Sequence, residues 1–247
     1  ALMRGEQNIV LPEELQETEL ERQKREAASG QKSTLRERGV ESQSIVTSAR
    51  EHLSDSTPFH WQVAFVGVWE DWDGAERTGG FDAVIGNPPY VRQELIKEQK
   101  PALKRAYPKT YSGTADLYVY FYEQGLRLLR PGGRLSYVVT NKWLKAGYAE
   151  KLRNLFRNEA WLEFVADFGH AKHMFPDADV FPSVVVLRNP TDIEAPVETK
   201  TCVIPRDDVP KGSLREAVDN ATYVLPLDYF GSSSWTLEPP DVMAILL

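Results

Sequence analysis

The sequence predicts an α/β protein built around a parallel sheet, and three observations carry that expectation. Four short apolar runs, Phe81 to Gly86, Leu135 to Val139, Trp161 to Asp167 and Ser183 to Leu187, read as buried strands. Two amphipathic segments of helical period separate the first three of them. Glycine and proline punctuate the junctions, at Gly86-Asn87-Pro88-Pro89 and at Pro131-Gly132-Gly133. Strand, helix, strand, helix, strand is the pattern of parallel strands joined by right-handed crossovers.

Taken in order, residues from about Leu11 to Leu53 are rich in Glu, Gln, Arg, Lys and Ser, with scattered leucines and no alternation. They predict exposed helices interrupted near Gly30 and Gly39. From Phe59 the composition turns aromatic and β-branched, in "FHWQVAFVGVW", and the compact domain starts there. The segment "ADLYVYFYEQGLRLL" sets Leu117, Tyr118, Phe121, Tyr122, Leu126 and Leu129 on one helical face, with the Pro131-Gly132-Gly133 turn ending the helix. A second helix, "YAEKLRNLFRNE", buries Leu152, Leu155 and Phe156. Beyond Pro190 the chain is rich in Pro and Asp, with an edge strand expected at "KTCVI" and no internal repeat.

At 247 residues, 42% apolar and 26% charged, the composition fits one large globular domain with attachments. No apolar run approaches the roughly 18 residues that cross a bilayer, and no basic-then-apolar leader is present, so a cytoplasmic location without a membrane partner is expected. Cys202 stands alone in an apolar run and reads as packing. The chain opens at Ala1 and stops at the apolar "PPDVMAILL", and both ends read as cuts through a longer polypeptide. Its charge is uneven. Arg92 to Arg157 holds 14 Lys and Arg against 5 Asp and Glu, a local net of +9, which leaves −16 elsewhere in a chain of net charge −7. Such a run is either a solvated helix face or, beside a site, a track for a polyanion.

The end of the first predicted strand carries the chemistry. In open α/β sheets ligands bind outside the carboxyl ends of the strands, where Asn87-Pro88-Pro89-Tyr90 falls. The prolines fix φ and remove two backbone donors, so carbonyl oxygens stand free beside the Asn87 amide oxygen. Tyr90 adds a face on which a planar ring can stack. Together they suit a planar amine whose two N–H groups are held by two oxygens. The plainer reading is a Pro-Pro turn with Tyr90 as filler.

These residues resemble the catalytic motif of the amino-group DNA methyltransferases that use S-adenosylmethionine, Asn/Asp/Ser-Pro-Pro-Tyr/Phe/Trp. The likeness extends through "FHWQVAF", "GGFDAVIGNPPYVRQ", "ADLYVYFYEQGLRLLRPGGRLSYVVTNKWLKAGYAEKLR" and "DFGHAKHMFPDADVFPSVVVLRNP", covering about Phe59 to Pro190. It is most similar to the adenine-specific group, above all the large single-chain type IIG restriction-modification enzymes. The resemblance implies the catalytic half of a Rossmann-like class I methyltransferase sheet preceded by a helical insert. It divides the chain into an insert at 1–58, a catalytic part at 59–190, and a connector with the start of a target-recognition domain at 191–247.

By that resemblance Asn87 and the Pro88 carbonyl accept the two N6 hydrogens of an adenine flipped out of double-stranded DNA, within the turn that Pro89 stiffens. Tyr90 forms one face of the clamp. Phe175 forms the other, with Phe181 as second choice; the plainer reading of Phe175 is a core aromatic. Arg92, Lys97, Lys100, Lys104, Arg105 and Lys109 follow the motif and would meet a DNA strand. Asn141, Lys142 and Trp143 would contact backbone or flanking bases, although Trp143 reads equally as a core anchor. Asn87 and Pro88 would border the cofactor. The family's Gly-containing strand-turn, its main S-adenosylmethionine motif, is absent before Phe81, so the isolated chain is expected to be incomplete and inactive, with the upstream portion of the same polypeptide as its partner. Two other readings share the motif: methylation of a protein glutamine or an RNA base, and a non-catalytic DNA-binding remnant. No metal is expected, since His170 and His173 have no third ligand pattern beside them. Asp167-Phe168-Gly169 lacks every other kinase signature and reads as a strand end. Asp116 reads as a carboxylate in the first turn of a helix and nothing more.

Overall fold

The computed structural model describes Thr47, Phe59 and residues 61–65, 67–71, 78–169, 181–204 and 213–246. Two units divide the chain, Ala1–Ala64 and Phe65–Leu247. In the first, the described part is a helical turn, Trp61–Ala64, whose Trp61 ring meets Phe59 edge to face at 4.9 Å. The expected insert at 1–58 lies almost wholly outside the described residues.

The second unit is a six-stranded sheet with helices against it. A small antiparallel pair, β1 (Trp69–Asp71) and β2 (Thr78–Gly79), leads into β3 (Phe81–Gly86). Gly80 joins them at φ 127°, and a Cβ there would lie 2.4 Å from the backbone nitrogen of Arg130, so only glycine fits. Helices α1 (Lys100–Ala106) and α2 (Tyr118–Arg127) follow, then β4 (Leu129–Thr140), α3 (Glu150–Glu159), β5 (Trp161–Asp167), β6 (Pro182–Arg188), β7 (Glu198–Val203), α4 (Leu214–Ala221), β8 (Thr222–Pro226) and α5 (Pro240–Leu246). The strand order is β3-β4-β6-β5-β7-β8.

The sheet is mixed, which corrects the expectation of a parallel one. β3 and β4 pair in parallel, as do β5 and β7, but β6 runs antiparallel between β4 and β5, and β8 antiparallel beside β7. The expectation followed the strand-helix-strand rhythm of the first three strands, which says nothing of how the fourth is connected, and β6 enters antiparallel to both its neighbours. β7 is accordingly interior, with β8 outside it. Residues beyond 190 thus continue the same sheet.

The second difference is at the Pro131-Gly132-Gly133 turn. α2 ends at Arg127 and β4 already begins at Leu129; Arg130 to Gly133 bulge out opposite Asp82, with Gly132 at φ 78°. The Arg130 Nε donates to Asp82 Oδ1 at 2.7 Å across that bulge. Burial along α2 is also wider than one stripe. Tyr118, Val119, Tyr120 and Tyr122 are all buried, because Tyr107 and Tyr111 stack over Tyr120 at 5.8 and 6.2 Å.

On one face of the sheet Tyr122 packs on Tyr137 of β4 and Phe156 of α3, at 5.2 and 4.9 Å. Leu152, Leu155 and Phe156 are buried as their spacing predicts, and so is Arg153. On the other face α4 covers Ala166, Phe168, Cys202 and Ile204. Beside that cover a register row crosses the whole sheet through Ile85, Ser136, Val186, Phe164, Lys200 and Val224, and its outermost residues are 82% and 49% exposed. No helix among the described residues is long and apolar enough to cross a membrane.

Candidate active site

Because β3, β4, β5 and β7 point the same way, their carboxyl ends gather on one side: Asn87 after β3, Asn141 after β4, Asp167 closing β5 and Ile204 after β7. Gly86 lets the Tyr137 ring pass beneath the turn, since a Cβ there would sit 3.3 Å from it. Pro88 is buried while Asn87, Pro89 and Tyr90 are exposed, so the turn is anchored by one proline and presents the rest.

Tyr90 is 37% exposed and held at two points. Its hydroxyl donates to the Val138 carbonyl at 3.1 Å, and its ring meets Tyr118 edge to face at 6.5 Å. Partial burial pushes its phenol up from the usual range, which keeps it a neutral donor. The Tyr118 hydroxyl in turn bonds that of Tyr148 at 2.8 Å, and burial drives the Tyr118 phenol far above its usual range.

The segment leaving the motif is fastened to the start of α2. The Leu117 N–H donates to the Val91 carbonyl at 2.9 Å and the Gln93 N–H to Asp116 Oδ1 at 3.0 Å. Lys100 Nζ donates to Gln93 Oε1 at 2.5 Å and to the Gly113 carbonyl at 2.7 Å. Farther on, buried Glu123 accepts from Thr110 N and Oγ1 at 2.9 and 2.7 Å and from Arg127, whose guanidinium lies 5.5 Å from the Tyr107 ring centre. A backbone held this often keeps one shape, which is what a preorganised site requires.

The expected DNA contacts divide. Arg92, Lys104, Arg105 and Lys142 are exposed. Lys100 is half-buried and occupied by the loop it braces. Trp143 is fully buried, its indole N–H on Ser183 Oγ at 3.0 Å and its ring on Phe156 and Trp235, the environment of the core-anchor reading. Lys109 pairs with Glu159. Phe175, His170 and His173 lie outside the described residues. The Phe181 carbonyl accepts from the Asn141 N–H at 2.6 Å, and the Asn141 amide donates to both oxygens of Asp167, at 3.0 and 3.1 Å.

Sequence reasoning missed Asp116 and Asp167 as fasteners and the Tyr118–Tyr148 pair behind Tyr90. Asp116 lies two residues before α2 rather than in its first turn, a position from which its carboxylate accepts a loop N–H; Tyr148 carries no local signal at all.

A family described as Eco57I restriction-modification methylase matches residues 12–175. The chain is similar to the type II methyltransferase M.XhoI of Xanthomonas vasicola, 41% identical over 110 residues, which are 44% of this chain and 20% of that protein. It is similar to M.PaeR7I of Pseudomonas aeruginosa, 29% identical over 185 residues, 70% of this chain and 31% of that one. The chain therefore spans less than a third of the length of these relatives. Among solved structures it is similar to the type IIG restriction endonuclease BpuSI, with a TM-score of 0.44 and 18% identity, covering 62% of this chain and 20% of that one.

Proposed function

The chain belongs to the Eco57I restriction-modification methylase family, and from that premise we propose that it carries the base-binding half of a DNA methyltransferase acting on adenine N6, with S-adenosylmethionine as methyl donor. The observation that carries the reading is the turn after β3: exposed Asn87, buried Pro88 and a partly exposed Tyr90 ring fixed from behind.

In this reading Asn87 Oδ1 and the Pro88 carbonyl each accept one N6 hydrogen. Holding both hydrogens draws the exocyclic nitrogen away from conjugation with the ring and leaves its lone pair directed outward. Tyr90 stacks on the extruded base and offsets part of the few kcal/mol that unstacking costs. The donor chemistry fits: the turn offers acceptors and flat apolar surface, with no cation among its four residues to repel a sulfonium. Asn87 and Pro88 would border the cofactor, which supplies an electrophilic methyl group when bound. Exposed Arg92, Lys104, Arg105 and Lys142 would neutralise phosphates of the duplex.

The test is methyl transfer to a duplex library by the protein carrying this chain, followed by nucleoside mass spectrometry. N6-methyladenine is expected. Asn87→Ala should lose about 2 to 4 kcal/mol of transition-state stabilisation, as when one preorganised polar contact is removed. A variant within about twofold of the parent rate would remove Asn87 from catalysis. Methylated cytosine, RNA or glutamine in place of adenine would redirect the substrate assignment.

A further inference from the structure

We propose that a cleft of about 430 Å³ between α1 and the start of α3 holds a backbone phosphate of the DNA strand whose base stacks on Tyr90. The inference rests on the DNA methyltransferase reading and adds to it a subsite. Lys104 of α1 and Lys151 of α3 approach the cleft from two elements; Tyr111, Ser112, Gly113, Gly147, Tyr148 and Glu150 complete its wall.

Three features point to an anion. Both lysines are exposed, and neither forms an ion pair among the described residues. Lys151 is the second residue of α3, where a cation runs against the helix dipole, so helix stability does not account for it. Gly113 and Gly147 both line the cleft, and the fold requires glycine at neither. Neither has a positive φ, and a Cβ at either would meet nothing within 4 Å. Absent side chains there leave room for a ligand to approach the backbone. The cleft is also tied to the motif, because the Tyr148 hydroxyl bonds Tyr118, on whose ring Tyr90 leans. A strand delivering its base to Tyr90 would run its sugar-phosphate chain past this wall.

Glu150 gives the proposal a sign. Its carboxylate would repel a phosphate, so its neutralisation should tighten binding where loss of either lysine weakens it.

The experiment measures binding of a labelled duplex, over a range of salt, by the protein carrying this chain. It is repeated with duplexes in which one phosphate at a time near the target base is a neutral methylphosphonate. In Lys104→Gln/Lys151→Gln the slope of log affinity against log salt should fall by about 1, the value for one phosphate. One methylphosphonate position should weaken the parent several-fold and leave the double variant unaffected. Glu150→Gln should bind more tightly, and Gly147→Ala should bind more weakly with an unchanged melting temperature. Lys200→Gln, on β7, should match the parent. An unchanged salt slope and phosphate profile in the double variant would overturn the phosphate site while leaving the methyltransferase reading intact. A parent protein that fails to bind DNA at all would overturn both.

Discussion

The Tyr90 phenol is tied to the Val138 carbonyl and its ring meets Tyr118 edge to face, so the side chain is held in place while still partly exposed. Truncation and deletion of the hydroxyl should therefore separate. Tyr90→Ala removes the stacking face and should weaken capture of an extruded base by about 1 to 3 kcal/mol. Tyr90→Phe keeps the face and loses one hydrogen bond, worth about 0.5 to 1.5 kcal/mol. Fluorescence of 2-aminopurine at the target position reports the difference; equal signals from parent and Tyr90→Ala would make the ring filler. The basic residues of α1 differ in the same way. Lys104 and Arg105 stand free for solvent, whereas Lys100 spends its ammonium on Gln93 and Gly113. Reversing Lys100 would disturb the loop itself, so it is a poor probe of DNA contact. Nothing in the local sequence separates these lysines, because the acceptor at Gly113 becomes a neighbour of Lys100 only through the fold.

Among the elements, the turn Asn141–Leu144 shows how a strand end is fixed from a distance. Arg153 of α3 is buried and donates to the carbonyls of Trp143, Ala146 and Ser232 at 2.6, 2.9 and 3.1 Å, while the Trp235 N–H donates to the Leu144 carbonyl at 2.8 Å. Burial lowers the Arg153 pKa from its usual value, yet the group keeps its charge at any physiological pH. Arg153→Met fills similar space but leaves buried carbonyls without donors, and should cost about 2 to 4 kcal/mol of stability. Urea unfolding should show a lower midpoint at unchanged slope; a midpoint matching the parent would mean that water replaces the guanidinium. Strands β3 and β5 were legible to the residue because each is a short apolar run between turn residues. The direction of β6 was not, since periodicity reports which face a side chain takes and says nothing of its neighbours. Trp143 was ambiguous for a related reason: its pentapeptide is half polar, and the partners that bury it, Phe156 and Trp235, are remote in sequence. The position of the Asn87 turn at a carboxyl strand end was legible, because strand and Pro-Pro turn are contiguous.

At the scale of the molecule, the core of the described residues holds Tyr118, Tyr120, Tyr122 and Tyr137, and these buried phenols shape the response to alkali. An unfolded tyrosine gives up its proton near pH 10, whereas burial holds those of Tyr120 and Tyr137 up to about 12. Between those values the unfolded chain binds fewer protons than the folded one. Stability is thus fully present below pH 10 and falls as pH rises towards 12. Denaturant midpoints taken from pH 8 to 12 should be flat and then decline, with phenolate absorbance near 295 nm appearing together with unfolding; free titration of these tyrosines in a folded protein would contradict their burial. The Trp143–Trp235 contact supplies a separate witness to the same transition. Two indoles 5.3 Å apart at 77°, both sealed from solvent, have coupled electronic transitions, and their chiral arrangement disappears once residues 231–237 lift from the turn after β4. The protein thereby carries an intrinsic optical gauge of that junction, readable in near-ultraviolet dichroism without a label.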